Sequence, residues 1–243
     1  MDKIWRIIEH GGMPPEANMA IDVALLKDVA AGAAGPALRF YQWDPPAVSL
    51  GYFQKTDGIS RAAMEKYGIV MARRATGGRA VLHWGDLTYS IVARAGGDIP
   101  PGVEDSYRFL CRGILSGLAM LGVDATLGSE KASAPFPASC FAVSTAGDIT
   151  WRGKKIVGSA QKREGGALLQ HGSILLKPQA HLLAEIFSPE GGGRAGMLAQ
   201  KVASLEEALG RTVSPAEVKN NLIKGFERAL GIRFERCDAS PAG

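Results

Sequence analysis

Gly153-Lys154-Lys155-Ile156-Val157-Gly158-Ser159-Ala160-Gln161 reads as a strand, and strand alternation sends Lys155 and Val157 to one face and Ile156 to the other. Lys155 is therefore expected to face inward, where an ammonium polarises a ligand carbonyl or favours the thiolate of a neighbouring cysteine. The competing reading is a solvated hairpin with basic decoration, and the Lys154-Lys155 pair taken alone favours that reading. Upstream, Arg73-Arg74-Ala75-Thr76-Gly77-Gly78-Arg79-Ala80-Val81-Leu82-His83 sets two glycines between cationic residues, so that backbone amides can closely approach an anion or a carbonyl. It matches neither the phosphate loop nor the dinucleotide fingerprint, and Thr-Gly-Gly by itself is also an ordinary turn.

Between these segments lies Cys140, which follows a Ser-, Ala- and Pro-rich stretch from Gly128 to Ser139 that reads as a loop. One hairpin would bring it to Lys155, and it is the best nucleophile candidate, although a single Cys beside Phe is also a common small apolar core residue. Cys111 falls within an apolar helix and Cys237 in a terminal tail at about 235–243, so structural or incidental roles suit both. The three cysteines lack zinc or disulfide spacing, as befits a reducing compartment. His10, His83, His171 and His181 share no short ligand spacing, and no metal is expected.

The 243 residues and 46% apolar content suit one large domain with a substantial core. Charged residues interrupt the apolar runs before membrane-spanning length, and Met1-Asp2-Lys3-Ile4-Trp5 lacks a signal peptide's apolar core. A cytoplasmic location with no membrane partner is expected. The net charge of +4 is dispersed, which argues against nucleic acid and suits an acidic protein partner.

Periodicity places strands at Trp5–Glu9, Ala37–Trp43, Ala47–Tyr52, Ile69–Arg73, Ala80–His83 and Thr88–Ala93, with short ones at Asp148–Trp151, Lys155–Val157, Ala167–Leu169 and Ser173–Leu176. Helices are expected at Asn18–Ala31, Ile59–Lys66, Asp105–Gly122, Ser204–Leu209 and Pro215–Leu230, the last capped by Ser214. Gly11–Pro15 reads as a turn, the second and third strands as neighbours, and Gly85-Asp86 as a hairpin junction. His171-Gly172 reads as a turn before the last strand, and Gly191-Gly192-Gly193 as a surface loop.

Taken together, the segments resemble the lipoate-attachment superfamily of lipoate-protein ligases, octanoyltransferases and, more distantly, biotin-protein ligases. The resemblance runs from Asn18-Met19-Ala20-Ile21-Asp22 through Pro46–Gln54, the Arg-Arg-x-Thr-Gly-Gly loop and the lysine strand to Gln170-His171-Gly172-Ser173. Within that superfamily the chain is most similar to the LipM octanoyltransferase branch. Arg79 replaces the third glycine usual in ligases, and Cys140-Phe141 stands where that branch has its acyl-accepting cysteine. Trp84 stands where many relatives have Asp.

The resemblance implies a single α/β catalytic domain over 1–243, with a mixed, mostly antiparallel sheet flanked by helices. It implies Cys140 and Lys155 as catalytic residues, and a ligand groove formed by Arg74, Gly77, Gly78, Arg79, Ala80, His83, Gly158, Ser159, Ala160, His171 and Gly172. The activity implied is octanoyl transfer from acyl carrier protein to a lysine of a lipoyl domain, such as that of glycine cleavage H protein, with no cofactor. The alternative is an ATP- and Mg-dependent lipoate or octanoate ligase. A non-catalytic carrier-binding protein of the same fold is a third reading.

Overall fold

Pro14 and Pro15 end strand β1 (Lys3–Met13) and begin helix α1 (Pro15–Ala31), since a proline in the first helical turn forfeits no intrahelical hydrogen bond. Gly32, with φ 74°, closes the helix. In this computed structural model, which describes residues 3–128, 147–187 and 200–236, the chain continues through β2 (Ala37–Trp43), β3 (Ala47–Leu50), α2 (Arg61–Lys66), β4 (Val70–Arg73), β5 (Val81–His83) and β6 (Leu87–Arg94). Then follow α3 (Val103–Met120), β7 (Thr126–Leu127), β8 (Ile149–Trp151), β9 (Lys154–Glu164), β10 (Ala167–Ile174), α4 (Ala180–Phe187), α5 (Leu205–Leu209), α6 (Pro215–Leu230) and β11 (Ile232–Arg236).

Eight strands form one mixed sheet in the order β11-β1-β2-β6-β10-β9-β8-β7. β1 runs parallel to β11 and β2, and every other neighbouring pair is antiparallel. A smaller sheet, β4-β3-β5, pairs β3 parallel to β4 and antiparallel to β5. The single α/β domain with a mostly antiparallel mixed sheet is as expected.

Several boundaries differ from the sequence reading. β1 runs through Gly11 and Gly12 to Met13, with a register shift after Glu9. β2 and β3 are not partners, because Pro45 and Pro46 supply no N–H donors for a hairpin ladder and β3 joins the smaller sheet. β5 and β6 are likewise no hairpin. Val81 and Leu82 belong to the core of the smaller sheet, whereas Leu87, Tyr89 and Ile91 belong to that of the larger. β9 is one long strand, and β10 passes unbroken through His171 and Gly172. α4 and β11 were not anticipated, and β11 takes residues 235 and 236 out of the expected tail. Residues 128–139 of the expected loop lie almost wholly outside the described residues, as do Gly191–Gly193 and Cys237.

Helices α3 and α6 cover one face of the large sheet, packing Leu110, Ile114, Leu118, Leu222 and Phe226 onto Leu38, Phe40, Tyr89 and Ile91. They approach through glycines. A Cβ added to Gly225 would lie 2.2 Å from the Gly117 nitrogen, and one added to Gly113 would lie 2.0 Å from the Phe226 ring. α1 covers the opposite face, with Leu25, Leu26 and Val29 against Ala37, Val92 and Leu169.

Buried beneath α1 is an ion pair. Arg39 of β2 donates to Asp22 Oδ1 at 2.8 Å, to Asn18 Oδ1 at 2.6 Å and to His10 Nδ1 at 2.9 Å. Asp22 also accepts from the Tyr41 hydroxyl at 2.9 Å and the Ser90 hydroxyl at 2.7 Å. Burial alone would push the Asp22 carboxyl up. The hydrogen bond and charge of His171, the Arg39 guanidinium and the Ser90 hydroxyl together outweigh burial and hold the carboxyl below its ordinary value.

Two outcomes follow from this packing. Gly→Ala in a helix ordinarily stabilises by about 1 kcal/mol, but Gly225→Ala is expected to destabilise by about 1–3 kcal/mol in a denaturant melt, because the backbones leave no room for the methyl. Asp22 binds its proton more weakly folded than unfolded, so its contribution is fully present above the unfolded value and is lost as pH falls through the lower folded one. Asp22→Asn should remove that acid dependence and, by stranding Arg39, lower stability at pH 7 by about 3–5 kcal/mol.

Candidate active site

The turn between β4 and β5 carries the Thr-Gly-Gly loop, and its shape is set from below by Arg74. This guanidinium donates to the carbonyls of Ser49, Gly77 and Arg79 at 2.5, 3.1 and 2.9 Å and to Ser49 Oγ at 2.8 Å. These bonds fix the backbone of the loop in one conformation, and an ordered glycine turn is an arrangement whose amides can receive an anion or oxyanion. Gly78 takes φ 92°, a value that favours glycine. Thr76 is tied to β10, its hydroxyl 2.7 Å from His171 Nε2, while His171 Nδ1 lies 3.2 Å from Asp22 Oδ2. The glycine loop thereby hangs from the buried ion pair under α1.

Beside the loop is a cavity with about 430 Å³ of space, counting its open mouth. Its lining includes the apolar Met19, Tyr41, Trp43 and Val81 and the Gly158-Ser159-Ala160 stretch of β9. Of the expected groove residues, Arg74, Gly78, His83, Gly158, Ser159, Ala160, His171 and Gly172 all line it. Gly77, Arg79 and Ala80 belong to the same loop without lining the cavity. Gly77 and Arg79 give their carbonyls to Arg74, and Ala80 packs into the core of the smaller sheet. Gly172 is required where it stands, since a Cβ there would lie 2.5 Å from Ser159 Oγ and 2.7 Å from the Gly158 carbonyl oxygen.

His83 joins a chain of hydrogen bonds that local sequence did not reveal. Arg74 occupies Ser49 Oγ as a donor, so the serine's own hydrogen turns to His83 Nε2, 2.8 Å away, and His83 Nδ1 faces Asp86 Oδ2 at 2.9 Å. Thr88 and Ser173 hydroxyls hold the same Asp86 oxygen at 3.1 and 2.6 Å. Burial pushes the His83 imidazole down by more than the Asp86 carboxylate lifts it, and Arg74 acts in the same direction as burial. The ring is therefore neutral at physiological pH and stacks on Trp43 with centroids 4.0 Å apart.

Lys155 is fully buried, not part of a solvated hairpin, but it does not line this cavity; its ammonium lies 2.8 Å from Asp148 Oδ1. It sits three residues before Gly158 on the same strand, and Asp148 stands just after the undescribed residues 129–146 that contain Cys140. The expectation for Cys140 lies outside the described residues. Cys111 packs in the large core with its thiol 3.7 Å from the Gln170 amide nitrogen, and burial pushes that thiol up to about 12, so it remains protonated and unreactive. Ser49, Asp86, Asp22, Asp148 and Trp43 were not singled out as site residues from the sequence, although Asp22 and Ser49 lie in segments that carry the family resemblance.

Among the described residues, no helix is long and apolar enough to cross a membrane. Residues 14–227 match the family described as the lipoyl protein ligase A/B catalytic domain. The chain is 42% identical to octanoyltransferase LipM of Symbiobacterium thermophilum over 243 residues, covering 96% of this chain and 88% of that protein. A lipoate-protein ligase A bound with ATP superposes with a TM-score of 0.77 at 28% identity, covering 99% of this chain and 90% of that one. A bi-partite lipoate protein ligase of Thermoplasma acidophilum, described with its E2 lipoyl domain, has a TM-score of 0.72 at 28% identity and covers 99% and 88%. Sequence and fold agree along nearly the whole chain, and on that agreement the protein belongs to the lipoyl protein ligase A/B catalytic domain family, as one of its acyltransferases.

Proposed function

We propose that the protein is an octanoyltransferase that takes its acyl group from the thioester of acyl carrier protein and delivers it to a lysine of a lipoyl domain through Cys140. The observation that carries this reading is the 42% identity with an octanoyltransferase across 96% of the chain. The cavity supports it. Met19, Tyr41, Trp43 and Val81 offer the apolar wall an aliphatic chain needs, and each buried methylene contributes about 0.8 kcal/mol to binding.

In the first step the Cys140 thiolate attacks the donor carbonyl; a carbon–sulfur bond to the enzyme forms, and the carrier thiolate leaves and takes up a proton. In the second, the neutral amine of the acceptor lysine attacks the acyl-enzyme, the carbon–sulfur bond breaks as the amide forms, the Cys140 thiolate leaves and the nitrogen gives up one proton to solvent. Exchange between thioesters is nearly neutral in energy and thioester to amide is downhill, so no ATP is consumed. Lys155, whose ammonium pairs with Asp148, takes the role of favouring the thiolate when Cys140 approaches it. Amides of the Arg74-clamped loop, with those of Gly158 to Ala160, receive the oxyanion. Removing one such donor costs about two to three orders of magnitude in rate.

A ligase reading has one observation in its favour, the superposition on a lipoate-protein ligase A that holds ATP; there the glycine loop would receive an acyl-adenylate and Cys140 would be incidental. Intact-mass measurement after exposure to octanoyl-acyl carrier protein without ATP separates the two. The transferase reading predicts one octanoyl adduct, mapped to Cys140, absent from Cys140→Ser and unaffected by Cys111→Ser, which then transfers to a lipoyl domain. No adduct, together with modification of the lipoyl domain only when ATP is present, would establish the ligase instead.

A further inference from the structure

Tyr52 and Phe53 are 53% and 89% exposed, and their rings meet edge to face with centroids 4.7 Å apart. The other exposed large apolar residues among those described, Ile4, Val70, Val103 and Met120, are scattered along the chain. The loop that carries the two rings is firmly built. Arg73 donates to the carbonyls of Gly51, Tyr52 and Gln54 at 2.8, 2.9 and 2.9 Å. The Tyr52 amide donates to Thr76 O at 2.9 Å and the Gln54 amide to Gly51 O at 3.0 Å. Two aromatic rings held in water on a braced loop lose little freedom on meeting a partner, and such rings are typical anchors of protein interfaces.

The position of the loop matters as much as its rigidity. Gly51 presses on the glycine loop so closely that an added Cβ would lie 1.9 Å from the Gly78 carbonyl oxygen, and Gly78 lines the cavity. Whatever binds Tyr52 and Phe53 therefore sits at the rim. Of the two proteins the proposed reaction brings together, the acceptor is the one that must touch the rim, because its nucleophile is a lysine amine on a four-carbon stem. Lys55 of the same loop and Arg73, which braces it, are both exposed, and Asp57 is the one acid between residues 51 and 58, so a partner that meets these cations is acidic there.

We propose that Tyr52 and Phe53, with Lys55 and Arg73, form the docking site for the lysine-bearing acceptor domain, which sets an acidic face with an apolar contact on the rim of the cavity. The inference rests on the acyl-transfer reading and is tested separately from it. Because Phe53 is almost wholly exposed, Phe53→Ser should leave the melting temperature unchanged. It should also leave the rate of acylation by the carrier donor unchanged, while raising KM for a recombinant lipoyl domain by about tenfold or more, the effect of losing an interface anchor; Lys55→Glu should raise it further. An unchanged KM would overturn the proposal. So would an equal slowing of acylation, which would assign the rings to the donor or to this chain's own residues 129–146. Should the unsubstituted protein form no adduct, the transfer reading fails, and direct titration with the lipoyl domain still decides the docking site. Binding weakened by Phe53→Ser supports it, and equal binding refutes it.

Discussion

The carboxylate of Asp22, buried with Arg39 between α1 and the large sheet, is the interaction on which the rest of the site depends. Through Asn18 and Asp22 it fixes α1 to β2, through Ser90 to β6 and through His171 to β10. Burying such a pair is costly unless every lone pair and proton finds a partner, and here hydroxyls, an amide and two imidazoles do so. The arrangement tolerates little change, since loss of any one partner leaves a charge in the core.

From that anchor the geometry passes outward to the chemistry. His171 carries it to Thr76, and Arg74 holds the carbonyls of the glycine loop, so the loop's backbone is fixed before any ligand arrives. Such pre-orientation is what makes backbone donors effective toward a developing oxyanion. A parallel chain from Asp86 through His83 to Ser49 stiffens the cavity lining, and Trp43 seals it by stacking. Lys155 and Asp148 form a third buried pair at the edge of the segment that carries Cys140.

What the sequence made legible were features whose physical reason is local. Glycines between cations mark a loop where a backbone must come close, whereas alternation could not decide how Lys155 faces, because Lys155, Ile156 and Val157 are all fully buried on a strand covered on both faces. The partners of these residues were illegible because they are remote in the chain: Ser49 meets His83 across 34 positions and Asp22 meets His171 across 149. Gly172 was misread as a turn for an instructive reason. A glycine beside polar residues signals a bend, yet here it serves close packing of one strand against the next. The two false neighbour assignments, β2 with β3 and β5 with β6, arose because alternation reports that a strand has a buried face and not which of two sheets it joins.

The central claim is that the cavity hung from Asp22 holds the acyl chain while the glycine loop and β9 hold its carbonyl. A crystal structure of the protein after acylation by an octanoyl thioester tests this directly. The account predicts the aliphatic chain against Met19, Tyr41 and Trp43, with the carbonyl oxygen within hydrogen-bond distance of amides among Gly78, Gly158, Ser159 and Ala160. An acyl chain bound elsewhere, or a carbonyl facing away from both segments, would contradict it.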